Sequence, residues 1–239
     1  MDDAVIGIRY CGGCNPRYDR VALAGKLAAS FPELAFRPGL ADSDCLAVLV
    51  FCGCPVRCAL RPEELRDPRL IPISSPEDLP LARERLEQQL FSAWEAVSLT
   101  HEQVLQVLPH REPMLFVDSV PSLAPGRRAV TLFHARPELP CFAGHFPGEP
   151  VLPGIYTVEA TAQAADILMM TGDRYAGKIP LFMGIEHARF RRKILPGDTL
   201  EIHIALAEDQ AARAIAACRG EIYVRGQLAA DLEVRLAFR

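Results

Sequence analysis

One histidine, His145, stands in the run Gly-His-Phe-Pro-Gly-Glu-Pro-Val-Leu-Pro-Gly at 144–154. Three prolines and three glycines make that run a loop, neither helix nor strand. A helical run from Ile155 to Met170 follows, with Glu159 set among the small residues Ala160, Thr161, Ala162, Ala164 and Ala165. An imidazole titrates near neutrality and serves as a base. A carboxyl among apolar neighbours has its pKa raised and keeps a proton to give. A lone loop histidine is more often structural, but a buried glutamate is rare without a partner or a task. Loop base and helix acid together are the equipment for moving protons on a neutral substrate. Gln163, one turn after Glu159 on the same face, is spaced to orient it.

Two further clusters carry chemistry. Cys11-Gly-Gly-Cys14 and Cys52-Gly-Cys54-Pro-Val-Arg-Cys58 each follow an apolar run. Four thiolates suit zinc or an iron–sulfur cluster; the spaced pairs Cys11, Cys14, Cys54 and Cys58 are the preferred set, with Cys52 in reserve. A dithiol redox pair and simple packing also fit. Over these few residues the first loop resembles a Cys-Gly-Gly-Cys type of metal-binding domain. Arg189, Arg191, Arg192 and Lys193 form the densest basic cluster. It reads either as a solvated strand face or as a landing site for an acidic partner.

The elements that must hold these residues fall into two groups. The chain has 239 residues, half hydrophobic and 23% charged, with a net charge of −4. That composition predicts a packed globular protein and gives no support for a nucleic-acid partner. No apolar run reaches the roughly 18–20 residues of a membrane helix, and Met1-Asp2-Asp3 lacks the basic start of a signal peptide. The expectation is a cytoplasmic protein with no membrane partner. Six of the eight cysteines precede residue 60, which in a reducing compartment favours metal or redox chemistry over disulfides. Residues 1–97 read as strands Val5–Ile8, Leu46–Phe51 and Leu70–Ile73 alternating with helices Tyr18–Phe31 and Leu79–Val97, the last striped by Leu86, Leu90 and Trp94. Strands without polar alternation between helices predict a small α/β domain with a parallel sheet. There the two cysteine loops would share one sheet edge.

Residues 98–239 read differently. Thr100 caps a short helix His101–Leu108. Strands are expected at Met114–Val120 and Arg128–His134. After the long helix at 154–171 come strands Leu181–Arg192, Thr199–Leu206, Ala212–Val224 and Gln227–Phe238. This is an α+β layout, an antiparallel sheet curved around one central helix. Such a sheet leaves an edge exposed, so a homodimer is the minimum expected assembly.

Three stretches, 108–118, 144–163 and 188–198, occur in an order that closely resembles the 3-hydroxyacyl-acyl-carrier-protein dehydratases of type II fatty-acid synthesis. These have the hot-dog fold, and the resemblance spans roughly residues 100–239. It implies that His145 is the catalytic histidine and Glu159 the catalytic acid, glutamate being the pattern of the plain dehydratases. It implies that the Gly154 amide, at a helix N-terminus, binds the thioester carbonyl. The implied substrate is a 3-hydroxyacyl thioester of acyl-carrier protein or coenzyme A, with no cofactor. The implied assembly is a dimer, or a trimer of dimers, with histidine and acid from different subunits. The basic cluster then becomes the carrier-protein contact. The chain departs from the pattern at Glu112, where many members have tyrosine, and at Leu181 ahead of Phe182, where many have an aromatic gate. A hot-dog thioesterase and a non-catalytic acyl-carrier-binding module remain the alternatives.

Overall fold

The structure, a computed structural model, describes residues 5–13, 17–31, 34–39, 45–53, 56–93 and 96–239. The chain divides into two compact units, Met1–Glu95 and Ala96–Arg239.

In the first unit, β1 (Val5–Tyr10), β2 (Ala35–Pro38), β3 (Ala47–Phe51) and β4 (Leu70–Ile73) form a parallel sheet ordered β2-β1-β3-β4. All five residues of β3 are buried, as an inner strand covered on both faces requires. Helix α1 (Arg20–Ala29) starts at Asp19, whose carboxylate accepts from the Ala22 N–H at 2.9 Å. Helix α2 (Leu79–Ala93) buries Leu86 and Leu90; Trp94, the third member of the expected stripe, lies outside the described residues. The helix stops short of the expected Val97, which belongs to the next sheet. Strand β2 escapes the sequence because it is four residues long and contains Arg37 and Pro38, tolerable only at an edge. The strand order reverses between β1 and β3, so the loops leaving those two strands lie side by side at the carboxyl edge, where open α/β sheets bind ligands.

In the second unit, strands β5 (Val97–Leu99), β6 (Ser119–Ala124), β7 (Arg128–His134), β8 (Pro180–Phe190), β9 (Thr199–Gln210), β10 (Ile215–Val224) and β11 (Gln227–Phe238) make one antiparallel sheet, ordered β5-β6-β7-β9-β10-β11-β8. Helix α3 (His101–Val107) starts with a capping box, Gln103 Oε1 accepting the Thr100 N–H at 2.8 Å. Four residues, Cys141–Gly144, make the short α4, and α5 (Gly154–Met170) is the central helix. Every residue of α5 from Ala160 onward is buried, against Ile202, Ile204, Cys218, Leu232 and Val234 of the sheet. This is the predicted fold, a hot-dog: a sheet wrapped around one helix. No helix among the described residues is long and apolar enough to cross a membrane.

Among the boundaries that differ from expectation, two have a visible cause. Met114–Val117 is not strand, because its backbone is taken up elsewhere: the Phe116 N–H and the Met114 carbonyl both bond the side chain of Gln163. Strand β9 runs four residues beyond Leu206 because, after an irregularity in register that leaves Ala207 unpaired, Glu208–Gln210 continue to pair with β10 despite their polarity.

Candidate active site

Pro153 caps α5 and fixes where it begins. The first-turn amides of any helix lack intrahelical acceptors, and here they include that of Gly154. A methyl group on Gly154 would lie 3.1 Å from the Phe190 ring, so a side chain is disfavoured at this approach. His145 closes the short α4, its N–H donating to the Cys141 carbonyl at 2.9 Å. It is pinned to Val151 twice: the Val151 N–H donates to the His145 carbonyl, and the His145 ring Nδ1 lies 2.8 Å from the Val151 carbonyl. A carbonyl can only accept, so Nδ1 carries a proton, and the tautomer of the neutral ring that this selects has its lone pair on Nε2. Phe146 stacks on the ring at 4.1 Å.

His145 and Gly154 line one pocket of about 390 Å³, together with Thr157, Phe190, Arg191, Arg192 and Lys193. Three of the four predicted basic residues are thus on this pocket; Arg189 is not. Arg191 Nε donates to Asp231 at 2.6 Å, and His187 approaches the same carboxylate at 2.8 Å. Burial alone would raise the Asp231 pKa, but these two hydrogen bonds hold it below the usual range.

Glu159 is not on that pocket. It lies five residues past Gly154, which at 100° per residue turns it about 140° around the helix. Gln163, fully buried, donates from Nε2 to Glu159 Oε1 and to the Met114 carbonyl, each at 2.9 Å. Among the described residues no hydrogen bond or ion pair joins His145 to Glu159 within one chain.

Two neighbours of Glu159 were missed from sequence. His110 Nε2 lies 3.7 Å from Glu159 Oε1. Burial lowers the His110 pKa, Glu159 opposing this, so the imidazole favours its neutral form. Its only sequence signal is the Leu-Pro-His-Arg run at 108–111, to which no side-chain task was assigned. Asp166, a second carboxyl on α5, is 3% exposed, and its Oδ1 has no hydrogen-bond partner. Burial raises its pKa well above the ordinary value, and Glu159 adds to the effect. Glu112, one of the two departures, pairs with Arg136 at 2.6 Å, which also binds Asp118.

In the first unit only Cys11 and Cys58 of the predicted metal set are among the described residues. Cys14 and Cys54 lie outside the described residues, and no group of three His, Cys, Asp or Glu among the described residues is placed to hold a metal. Cys11 and Cys52 do meet, as the parallel sheet predicts. The Cys11 thiol accepts from the Gly53 N–H and from Arg20 Nη1, both at 3.1 Å. Burial opposes its ionisation, but these donors, the Gly13 amide and the Arg20 charge bring its pKa below the ordinary thiol value. Cys58 is exposed.

A family described as the FabA-like domain matches residues 108–233, and an uncharacterized protein family matches residues 5–92. The chain is 39% identical over 133 residues to the 3-hydroxyacyl-acyl-carrier-protein dehydratase FabZ of Symbiobacterium thermophilum, covering 56% of this chain and 92% of that one. It is 41% identical over 137 residues to the FabZ of Pelotomaculum thermopropionicum, covering 57% and 96%. Among solved structures, the dehydratase heterocomplex ApeI:P from Xenorhabdus doucetiae is 19% identical, with a TM-score of 0.49, covering 57% of this chain and 90% of that one.

Proposed function

The chain belongs to the FabA-like domain family, and from that premise we propose that residues 98–239 dehydrate 3-hydroxyacyl thioesters to trans-2-enoyl thioesters. The observation that carries the reading is the shared pocket of His145 and the amide end of α5. His145 Nε2 takes a proton from C2. The electron pair moves toward the thioester carbonyl, whose oxygen accepts a hydrogen bond from the Gly154 amide. Such a donor is worth about 3 kcal/mol where charge develops. Glu159, oriented by Gln163, gives its proton to the C3 hydroxyl. The C3–O bond breaks, the C2–C3 double bond forms, and water leaves. Base, acid and amide complete the reaction, so no cofactor enters it.

Because Gly154 and Glu159 face about 140° apart on one helix, the acid serving each His145 comes from a second copy of the chain. This makes a dimer the smallest active unit. The substrate is bound to acyl-carrier protein: Arg191, Arg192 and Lys193 border the pocket, and a basic rim steers an acidic carrier toward it. The setting on this reading is cytoplasmic acyl-chain synthesis.

The test is to incubate the protein with a 3-hydroxybutyryl thioester and follow the conjugated enoyl product. Its appearance is the expected result. Free thiol instead would make the protein a thioesterase, and neither product would make it a binding module. His145→Ala and Glu159→Gln should each lower kcat/KM by about 10²-fold or more with the fold intact. Arg191→Glu combined with Arg192→Glu should raise KM for the carrier-bound substrate more than for a short pantetheine thioester.

A further inference from the structure

The two cysteine loops of the first unit meet at the point where its strand order reverses. Tyr10 pairs with Phe51 across β1 and β3, and the Cys11 N–H donates to the Phe51 carbonyl at 3.0 Å. In a parallel ladder that bond sets Cys11 directly opposite Cys52, with both side chains on the same face. Neighbouring strands are about 4.8 Å apart, inside the roughly 4.4–6.8 Å between α-carbons that a disulfide spans.

The ladder then breaks in a particular way. Its next regular bond would run from the Gly53 N–H to the Cys11 carbonyl. Gly53 donates instead to the Cys11 sulfur, and the carbonyl accepts from Arg20 Nη1 at 2.6 Å. The same guanidinium nitrogen reaches the sulfur. A methyl group on Gly13 would come within 2.7 Å of Arg20, so a glycine without a side chain is what lets the guanidinium in. Amide and cation are both spent on one sulfur, an arrangement that stabilises a thiolate and makes it a nucleophile.

We infer that Cys11 and Cys52 are a dithiol couple that reduces hydroperoxides, with Cys11 the attacking thiol and Cys52 the resolving one. Exposure selects the substrate: Cys11 is 9% and Cys52 1% exposed, which admits a molecule of a few atoms and excludes a bulky disulfide. The Cys11 sulfur attacks one peroxide oxygen. An S–O bond forms, the O–O bond breaks, and the departing oxygen takes up a proton as alcohol or water. Cys52 then gives up its proton and attacks the Cys11 sulfenic acid. The S–S bond forms, the S–O bond breaks, and the oxygen leaves as water. The two thiols have lost two electrons and the peroxide has gained them.

The experiment uses the full-length chain, reduced, freed of reductant without oxygen, and treated with about one equivalent of hydrogen peroxide. Peptide mapping without reduction should find one new disulfide, Cys11 to Cys52. In Cys52→Ser a sulfenic acid should persist at Cys11 and be trapped by a dimedone-type reagent. Arg20→Gln should slow oxidation of Cys11 about tenfold or more. The inference is overturned if Cys11 bonds to any other cysteine, if it oxidises no faster than the exposed Cys58, or if zinc or iron purifies with the chain and is released only as Cys11 oxidises. The map of the unmodified protein decides the pairing even if a variant fails to fold.

Discussion

Asp166 lies seven residues after Glu159, about two turns along α5 on the same face. Burial raises its pKa well above the usual value, and the carboxylate of Glu159 pushes in the same direction. The consequence for stability has a definite sign. Below the unfolded value, near pH 4, folded and unfolded states both hold this proton. As pH rises, the unfolded chain releases it while the folded chain retains it, so stability falls with pH from there up to the raised folded value. Asp166→Asn removes that slope. Urea unfolding of the two proteins between about pH 4 and 8 should show their stabilities converging at the acid end and the variant gaining toward neutrality. A constant difference across the range would mean that Asp166 is not held protonated. Gln163 shows a different economy at the same scale: one fully buried amide satisfies the Phe116 N–H and the Met114 carbonyl while orienting Glu159.

Helix α5 rests on the sheet through one very close approach. A methyl group built on Gly220 of β10 would stand 2.5 Å from Thr161 Cγ2 and 3.4 Å from Ile204 Cδ1. Both neighbours are buried, so neither has open space to move into. Gly220→Ala should therefore lift the helix from the sheet and cost about 1–3 kcal/mol, the range for overpacked cores. Thr161→Ser removes the offending methyl, and in the double variant most of that loss should return. Chemical denaturation of the four proteins measures this; simple additivity would mean that the contact is not the cause. The sequence announces neither partner of this contact, since 59 positions separate them and only the folded sheet unites them. What the sequence does announce is local. The loop at 144–154 follows from its prolines and glycines, α5 from its apolar run, and the Glu159–Gln163 pair from helical spacing. The juxtaposition of Cys11 with Cys52 follows from parallel topology alone. His110 beside Glu159 joins positions far apart in the chain, and Met114–Val117 reads as strand only until Gln163 claims its backbone. Long-range hydrogen bonds from side chains leave no periodicity to detect.

At the scale of the whole molecule, the single chain holds the proposed base and the proposed acid facing apart, and a sheet with an open edge. β8 pairs with β11 on one side only, and Leu181, Phe182, Met183, Ile185 and Phe190 along it are exposed. A long apolar edge strand is a liability unless a partner covers it. A second copy related by twofold symmetry would cover it and could also bring a Glu159 to each His145. The proposed site shared between two copies predicts an outcome that neither variant gives alone. Take His145→Ala and Glu159→Gln, each inactive, and let their subunits exchange at equal amounts. Random pairing makes about half of the dimers mixed. In a mixed dimer one site receives both defects, while the other receives an intact His145 from one chain and an intact Glu159 from its partner. One good site in two, in half of the dimers, is about a quarter of the unmutated activity, against about a hundredth or less for either variant alone. Assaying dehydration before and after subunit exchange reads this directly. Exchange verified by mass, without recovery of activity, would mean that base and acid act within one chain.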